Sequence, residues 1–115
     1  MVQQYVDFNY PVFPSIREAD YLALVSENVA RAIKKCSPDL IVYNAGADIL
    51  EGDPLGGMHI SARGMVCRDN IVFTQALAHH IPILMVLAGG YTRQSAIATA
   101  YSIENLLKNV IASKC

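Results

Sequence analysis

Two short loops hold the residues of this chain whose types and spacing suit chemistry. The first is Gly46-Ala47-Asp48-Ile49-Leu50-Glu51-Gly52-Asp53-Pro54-Leu55-Gly56-Gly57, which follows the apolar run Asp39-Leu40-Ile41-Val42-Tyr43-Asn44. The second is Ala88-Gly89-Gly90-Tyr91, which follows Ile83-Leu84-Met85-Val86-Leu87. A hard carboxylate oxygen from Asp48, with Asp53 close behind, can hold a metal ion or orient a substrate. The Tyr91 phenol can donate a hydrogen bond to charge developing on a carbonyl oxygen, and Gly89 and Gly90 let the backbone pass close to a ligand. Ligands of open parallel sheets bind outside the carboxyl ends of the strands, so loops of this kind can converge on one ligand. Plainer readings stand beside these. Asp in a glycine-rich loop often only caps a turn, Asp53 before Pro54 above all, and a tyrosine at a strand-to-helix junction often only packs.

Other reactive types carry less. His79-His80 precedes the Ile83 to Leu87 run whereas Tyr91 follows it, and five residues of strand separate the two by roughly 16 Å. The pair is therefore expected at the opposite edge of the sheet, structural or solvated, as is the lone His59. Cys36, Cys67 and Cys115 are far apart with no CxxC spacing, so neither a disulfide framework nor a thiolate zinc site is indicated. Glu51 and Arg68 are expected to be solvated or locally paired.

The elements that must position the loops follow from periodicity. Val2 to Phe8 reads as a strand, broken by Pro11 and Pro14. Ser15 and Glu18 have capping-box spacing, and Leu22, Val25, Val29, Ala32 and Ile33 recur on one face of a helix from about Arg17 to Lys35. Lys34 and Lys35 suit its C-terminal dipole, and Ser37-Pro38 ends it. Asp39 to Asn44 lacks alternation, the pattern of a parallel strand covered on both faces. A second helix is expected from Ser61 to His80 on Met65, Ile71, Val72, Phe73, Ala76 and Leu77, then a strand from Ile83 to Leu87. A third helix is expected from Thr92 to about Ala112 on Ile97, Tyr101, Leu106, Leu107, Val110 and Ile111. Alternating strands and helices imply an α/β fold with a mostly parallel sheet, both motif loops opening at one edge.

Composition excludes several classes. At 115 residues the chain is one domain or part of one, and 53% hydrophobic with 17% charged residues argues for a packed core rather than disorder. A net charge of -1 gives no footprint for nucleic acid, so no direct nucleic-acid contact is expected. No run approaches the ~20 apolar residues of a membrane span. Met1 to Asn9 lacks the features of a secretory signal, and a reducing, intracellular location, nucleus or cytoplasm, fits best.

The block from Tyr43 to Gly57, with Arg68-Asp69, Val72-Phe73, Pro82 to Val86, Gly89-Gly90-Tyr91 and more weakly Ser102 to Leu106, resembles the zinc-dependent histone deacetylases, within them the class IV branch. The resemblance runs from Val6 to about Leu107. It implies a partial three-layer α/β/α arrangement of the arginase/deacetylase kind with its N-terminal part missing, residues 1–115 being the C-terminal portion of the catalytic domain. It further implies Asp48 as one of three Zn2+ ligands, Tyr91 as the phenol that polarises the substrate carbonyl, and Leu55, Gly89 and Gly90 along the channel for an acylated lysine. The implied substrates are acylated-lysine proteins, histone tails among them. The family's Asp-x-His ligands and its tandem His pair come earlier in the chain than the matched region. No Asp-x-His occurs here, and His79-His80 lies downstream of Asp48. The expectation is a fragment inactive alone, with an unpaired strand edge open to self-association. A non-catalytic remnant acting as an interaction module is the second reading. An anion cradle in an unrelated α/β domain is a weaker third, because neither loop has a GxxxxGK[ST] or GxGxxG pattern.

Overall fold

The computed structural model describes residues 6–112. Over that range the elements are α1 (Glu18–Cys36), β1 (Ile41–Gly46), α2 (Ala62–Ala78), β2 (Ile83–Ala88) and α3 (Arg93–Asn105), whose end widens into a π-helix at Leu106–Ile111. The two strands pair in parallel, from Ile41 opposite Ile83 to Gly46 opposite Ala88. Since they run the same way and end level, the loops that follow leave one edge side by side, as the sequence implied.

Of the strand expected at Val2 to Phe8, Val2 to Tyr5 lie outside the described residues, and Val6 to Phe8 form no strand. Among the described residues the sheet has two strands, β1 and β2, and neither pairs with this segment. β-Branched residues favour a pleated surface but do not make one without a neighbouring backbone to bond.

Helix ends are set locally. Ser37 takes a left-handed conformation (φ 45) and donates its N–H to the Ile33 carbonyl, closing α1 just before Pro38. Lys34 and Lys35 lie in that last turn, as the dipole favours. The expected capping box does not form: Arg17 is the N-cap, without a side-chain bond. Glu18 is occupied elsewhere, its Oε1 accepting the Ser61 N–H at 2.7 Å and joining the start of α1 to the start of α2. Ser61 caps α2 through the Gly64 N–H, and Thr92 caps α3 through that of Ser95.

The core lies on one side of the sheet. Phe73 of α2 clusters with Leu106 and Val110 of the π-helix, and Tyr43, Ile83 and Met85 pack against them from the strands. On the other face Val42 and Leu84, register partners, are 61% and 55% exposed, and Val86 is exposed beside them. The unbroken apolar run of β1 therefore does not mean cover on both faces within this chain. Burial alternates along β1, and its outward residues meet solvent.

The buried face of α3 also departs from expectation. Ser95, Ala98 and Ser102 are buried while Ile97, Tyr101 and Leu107 are exposed. Small side chains face α2 because the helices approach closely there, and the larger residues lie outside the contact. Along α2, Met65, Val72, Phe73 and Ala76 are buried as expected, and Arg68 and Asp69 are buried with them.

Candidate functional site

The chain leaves β1 at Gly46 and passes over the strand edge, where the Ala47 N–H still reaches the Ala88 carbonyl at 3.0 Å. Ala47 and Leu50 bury against Met65 of α2 and Ala98 of α3. The loop then projects and returns, closed by a bridge between Leu50 and Ile60 in which the Glu51 N–H meets the Ile60 carbonyl at 2.8 Å. Leu50 and Ile60 are buried, so the loop between them stands on a fixed base.

Asp48 occupies this base, next to the second loop. A Cβ on Gly89 would lie 3.0 Å from Asp48 Cγ and 3.2 Å from both carboxylate oxygens. One on Gly46 would lie 2.9 Å from Oδ1, and one on Gly56 would fall 1.6 Å from the Asp48 carbonyl oxygen. The glycines of both motifs thus make room for Asp48. Gly89 also has φ +65, a conformation that L side chains rarely adopt. Gly90 makes room in the same way for its neighbours, since a Cβ there would lie 2.8 Å from that of Ala47 and 3.0 Å from that of Ser95. Among the described residues no hydrogen bond or ion pair reaches the Asp48 carboxylate. It is half-buried and has acceptor capacity to spare.

Asp53, in contrast, is fully engaged. It is 6% exposed, its Oδ1 accepts the Leu55 and Gly56 N–H groups at 2.9 Å each, and its Oδ2 accepts the Tyr91 N–H at 3.0 Å. Burial alone would raise its pKa, but the three N–H groups outweigh that and hold the carboxyl below its ordinary value. The turn-forming reading of Asp53 is right for Oδ1 and incomplete for Oδ2. Sequence spacing carries no sign of the contact to Tyr91, 38 positions away.

Leu55 stands at the loop tip, 73% exposed, and the Tyr91 side chain is 61% exposed, its backbone tied to Asp53. Gly89 touches Asp48 and Gly90 leads into Tyr91, so Asp48, Leu55, Gly89, Gly90 and Tyr91 gather at one edge.

A buried polar group supports that edge from below: of the two expectations for Arg68, solvated or locally paired, it is the local pair, with Asp69, that forms, and it forms in the core. Arg68 is 5% exposed and Asp69 2%. Arg68 Nη1 donates to the Gly46 carbonyl at 2.6 Å, two residues before Asp48, and Nε donates to Asp69 Oδ1 at 2.9 Å. Asp69 also accepts the Tyr43 hydroxyl on Oδ1 and that of Ser102 on Oδ2. Burial pushes the Tyr43 phenol well above its ordinary pKa, against the pull of the Arg68 guanidinium, so it stays a donor. Arg68 Nη2 lies 2.8 Å from Asp69 Oδ1 as part of the ion pair, but off the line of a hydrogen bond. The sequence holds one signal: Met65, Arg68, Asp69, Val72, Phe73 and Ala76 share a helical stripe, which puts both charges on the core side of α2.

His59, His79 and His80 are exposed, and His79 and His80 lie at the end of β2 remote from Tyr91. Glu51 is exposed as expected. Among the described residues no cluster of three or more His, Cys, Asp or Glu side chains is arranged to hold a metal ion. Catalytic zinc takes three protein ligands. Asp48 alone does not fit that ion, although its unbonded carboxylate suits a place in a larger donor set.

A family model for the histone deacetylase domain matches residues 2–107. The chain is 40% identical over 104 residues to histone deacetylase 2 of Arabidopsis thaliana, covering 90% of this chain and 27% of that protein. It is 29% identical over 106 residues to histone deacetylase RPD3 of Saccharomyces cerevisiae, covering 92% of this chain and 24% of that protein. Probable histone deacetylase 1-B of Xenopus laevis is 29% identical over 101 residues, 88% of this chain and 20% of that protein. The chain thus spans about a quarter of the length of these curated relatives.

Proposed function

Because the chain belongs to the histone deacetylase family, we propose that residues 1–115 are the C-terminal portion of a class IV-type lysine deacetylase domain, carrying one side of its active site. The reaction is hydrolysis of the acyl-lysine amide of a protein, histone tails included, in an intracellular setting. Tyr91 donates a hydrogen bond to the amide oxygen as negative charge builds there. Leu55 lines the channel that receives the lysine chain, and Gly89 and Gly90 keep the backbone beneath that channel free of side chains. Asp48 serves as one zinc ligand, with the remaining ligands and the general base contributed by sequence outside this chain.

The observation that carries this reading is the Asp48 carboxylate, free of hydrogen bonds among the described residues and cradled by Gly46 and Gly89 beside the Tyr91 turn. Zinc does not enter as a property of this chain alone, since no set of donors that could hold it is gathered among the described residues. The 115-residue chain by itself is therefore expected to be inactive.

The test is to exchange residues 2–107 for the matching segment of Arabidopsis histone deacetylase 2 and assay release of acetate from an acetyl-lysine peptide. Activity should be recovered, and Asp48→Ala should abolish it together with zinc stoichiometry. Tyr91→Phe should lower kcat about 10²- to 10³-fold, the usual cost of losing one oxyanion donor. A hybrid that keeps full activity with Asp48→Ala would overturn the assignment.

A second reading draws on the bare sheet face at Val42, Leu84 and Val86: the isolated chain associates with itself through its sheet.

A further inference from the structure

We infer that Asp53 is a positioning residue, a clasp that holds the loop bearing Leu55 against the turn bearing Tyr91 and so fixes the phenol relative to the channel wall. This goes beyond the proposed deacetylase role and rests on it for its effect on turnover.

The two carboxylate oxygens divide the task. Oδ1 bonds the Leu55 and Gly56 N–H groups and shapes its own turn, while Oδ2 reaches across to the Tyr91 N–H. The residue is buried, and its partners are backbone N–H groups rather than a cation. A buried carboxylate satisfied by three backbone donors is fixed in direction, because no long side chain has to be ordered to meet it. Elsewhere the two loops are joined at the strand ends, through the Ala47 N–H and the Ala88 carbonyl, and by the fit of Gly89 against Asp48. Those contacts lie at the loop base. Asp53 acts farther out, at the residue whose hydroxyl is assigned the oxyanion, where a small displacement has the largest effect on rate.

Asparagine separates the two jobs. In Asp53→Asn the remaining oxygen can keep the Leu55 and Gly56 bonds, but the amide nitrogen then faces the Tyr91 N–H, donor against donor. Asp53→Ala removes both. In the Arabidopsis hybrid, Asp53→Asn is expected to lower kcat about 10-fold with KM nearly unchanged, as loss of alignment at the reacting centre does. Asp53→Ala should raise KM as well. In a Tyr91→Phe background Asp53→Asn should cost little more, since both changes disable the same phenol. A residue serving stability alone would give losses that multiply with Tyr91→Phe.

Amide hydrogen exchange on the intact 115-residue chain judges the clasp independently of activity. The Tyr91, Leu55 and Gly56 amides should be protected in the wild type, and Asp53→Asn should speed exchange at Tyr91 while sparing Leu55 and Gly56. An inactive hybrid counts against the deacetylase reading and leaves the exchange result to decide the clasp. Tyr91 exchanging in the wild-type chain as fast as in an unstructured peptide would overturn the inference, with no variant required. So would equal protection of Tyr91 in the wild type and in a folded Asp53→Asn chain.

Discussion

Two carboxylates five positions apart in one loop have opposite fates. Asp48 is left without a hydrogen bond among the described residues, and Asp53 is saturated by backbone donors. The Asp53 carboxyl is tuned by its surroundings toward the charged form, and Glu18, bonded to the Ser61 hydroxyl and N–H, is tuned the same way. The sign of the consequence is fixed. Both groups bind a proton more weakly folded than unfolded, so the unfolded chain takes up more protons as acid is added. Their contribution is complete above the ordinary carboxylate range, about pH 4 to 5, and is lost as the pH falls through their lowered folded values. Urea unfolding of the 115-residue chain should give a midpoint that is flat from neutral to about pH 5 and declines below about pH 4. In an Asp53→Asn, Glu18→Gln double variant the neutral-pH midpoint should be lower and that acid decline shallower. An acid limb of unchanged steepness would show that other carboxyls are responsible.

At the scale of the elements, α2 matters most, because it carries a charged pair through the core to the end of β1. The helix spans, the spans of β1 and β2 and the shared edge of the two loops are legible in the sequence, since each follows from local periodicity and from proline, serine and glycine at the boundaries, whereas the strand expected at Val2 to Phe8 does not form over Val6 to Phe8. Partners far apart in sequence are not legible. Arg68 and Asp69 look solvent-bound by type, and only their place on the Met65 to Ala76 stripe hints otherwise. Their partners Gly46, Tyr43 and Ser102 lie 22, 26 and 33 positions away. The face of α3 is hidden from a reading by residue type because Ile97 and Tyr101 are larger and more apolar than Ser95 and Ser102, whereas close approach to α2 selects small residues and Asp69 selects a hydroxyl at Ser102. Arg68→Leu leaves Asp69 charged and without its cation and frees the Gly46 carbonyl, and should cost about 3–5 kcal/mol by denaturant unfolding. Arg68→Lys should recover little of this, because an ammonium cannot reach both Gly46 and Asp69 with the guanidinium's fixed geometry. A loss below about 1 kcal/mol would mean that water replaces the network at small cost.

For the whole molecule, what matters is the exposed face of the sheet that β1 and β2 form among the described residues. Two strands are too few to stabilise a sheet without packing, and here the helices supply it on one side. On the other side Val42, Leu84 and Val86 form a contiguous apolar patch, set by the register that puts Val42 opposite Leu84 and Asn44 opposite Val86. The expectation of a strand covered on both faces rests on composition alone. It fails for this chain, since the outward valine and leucine, Val42 and Leu84, are 61% and 55% exposed. Such a surface favours association over solvation. Light scattering of the purified 115-residue chain should therefore report a concentration-dependent rise in mass. Val42→Lys with Leu84→Glu should return it to a monomer of 12.5 kDa, and those outward positions should tolerate the change with little loss of stability. The same pair in the Arabidopsis hybrid should behave differently: if the rest of the domain packs on this face, burying the two charges there should abolish folding or activity. A hybrid that stays fully active with both charges would mean that the bare face is solvent-facing in the complete domain as well, and would remove the physical reason for treating the chain as part of a larger sheet.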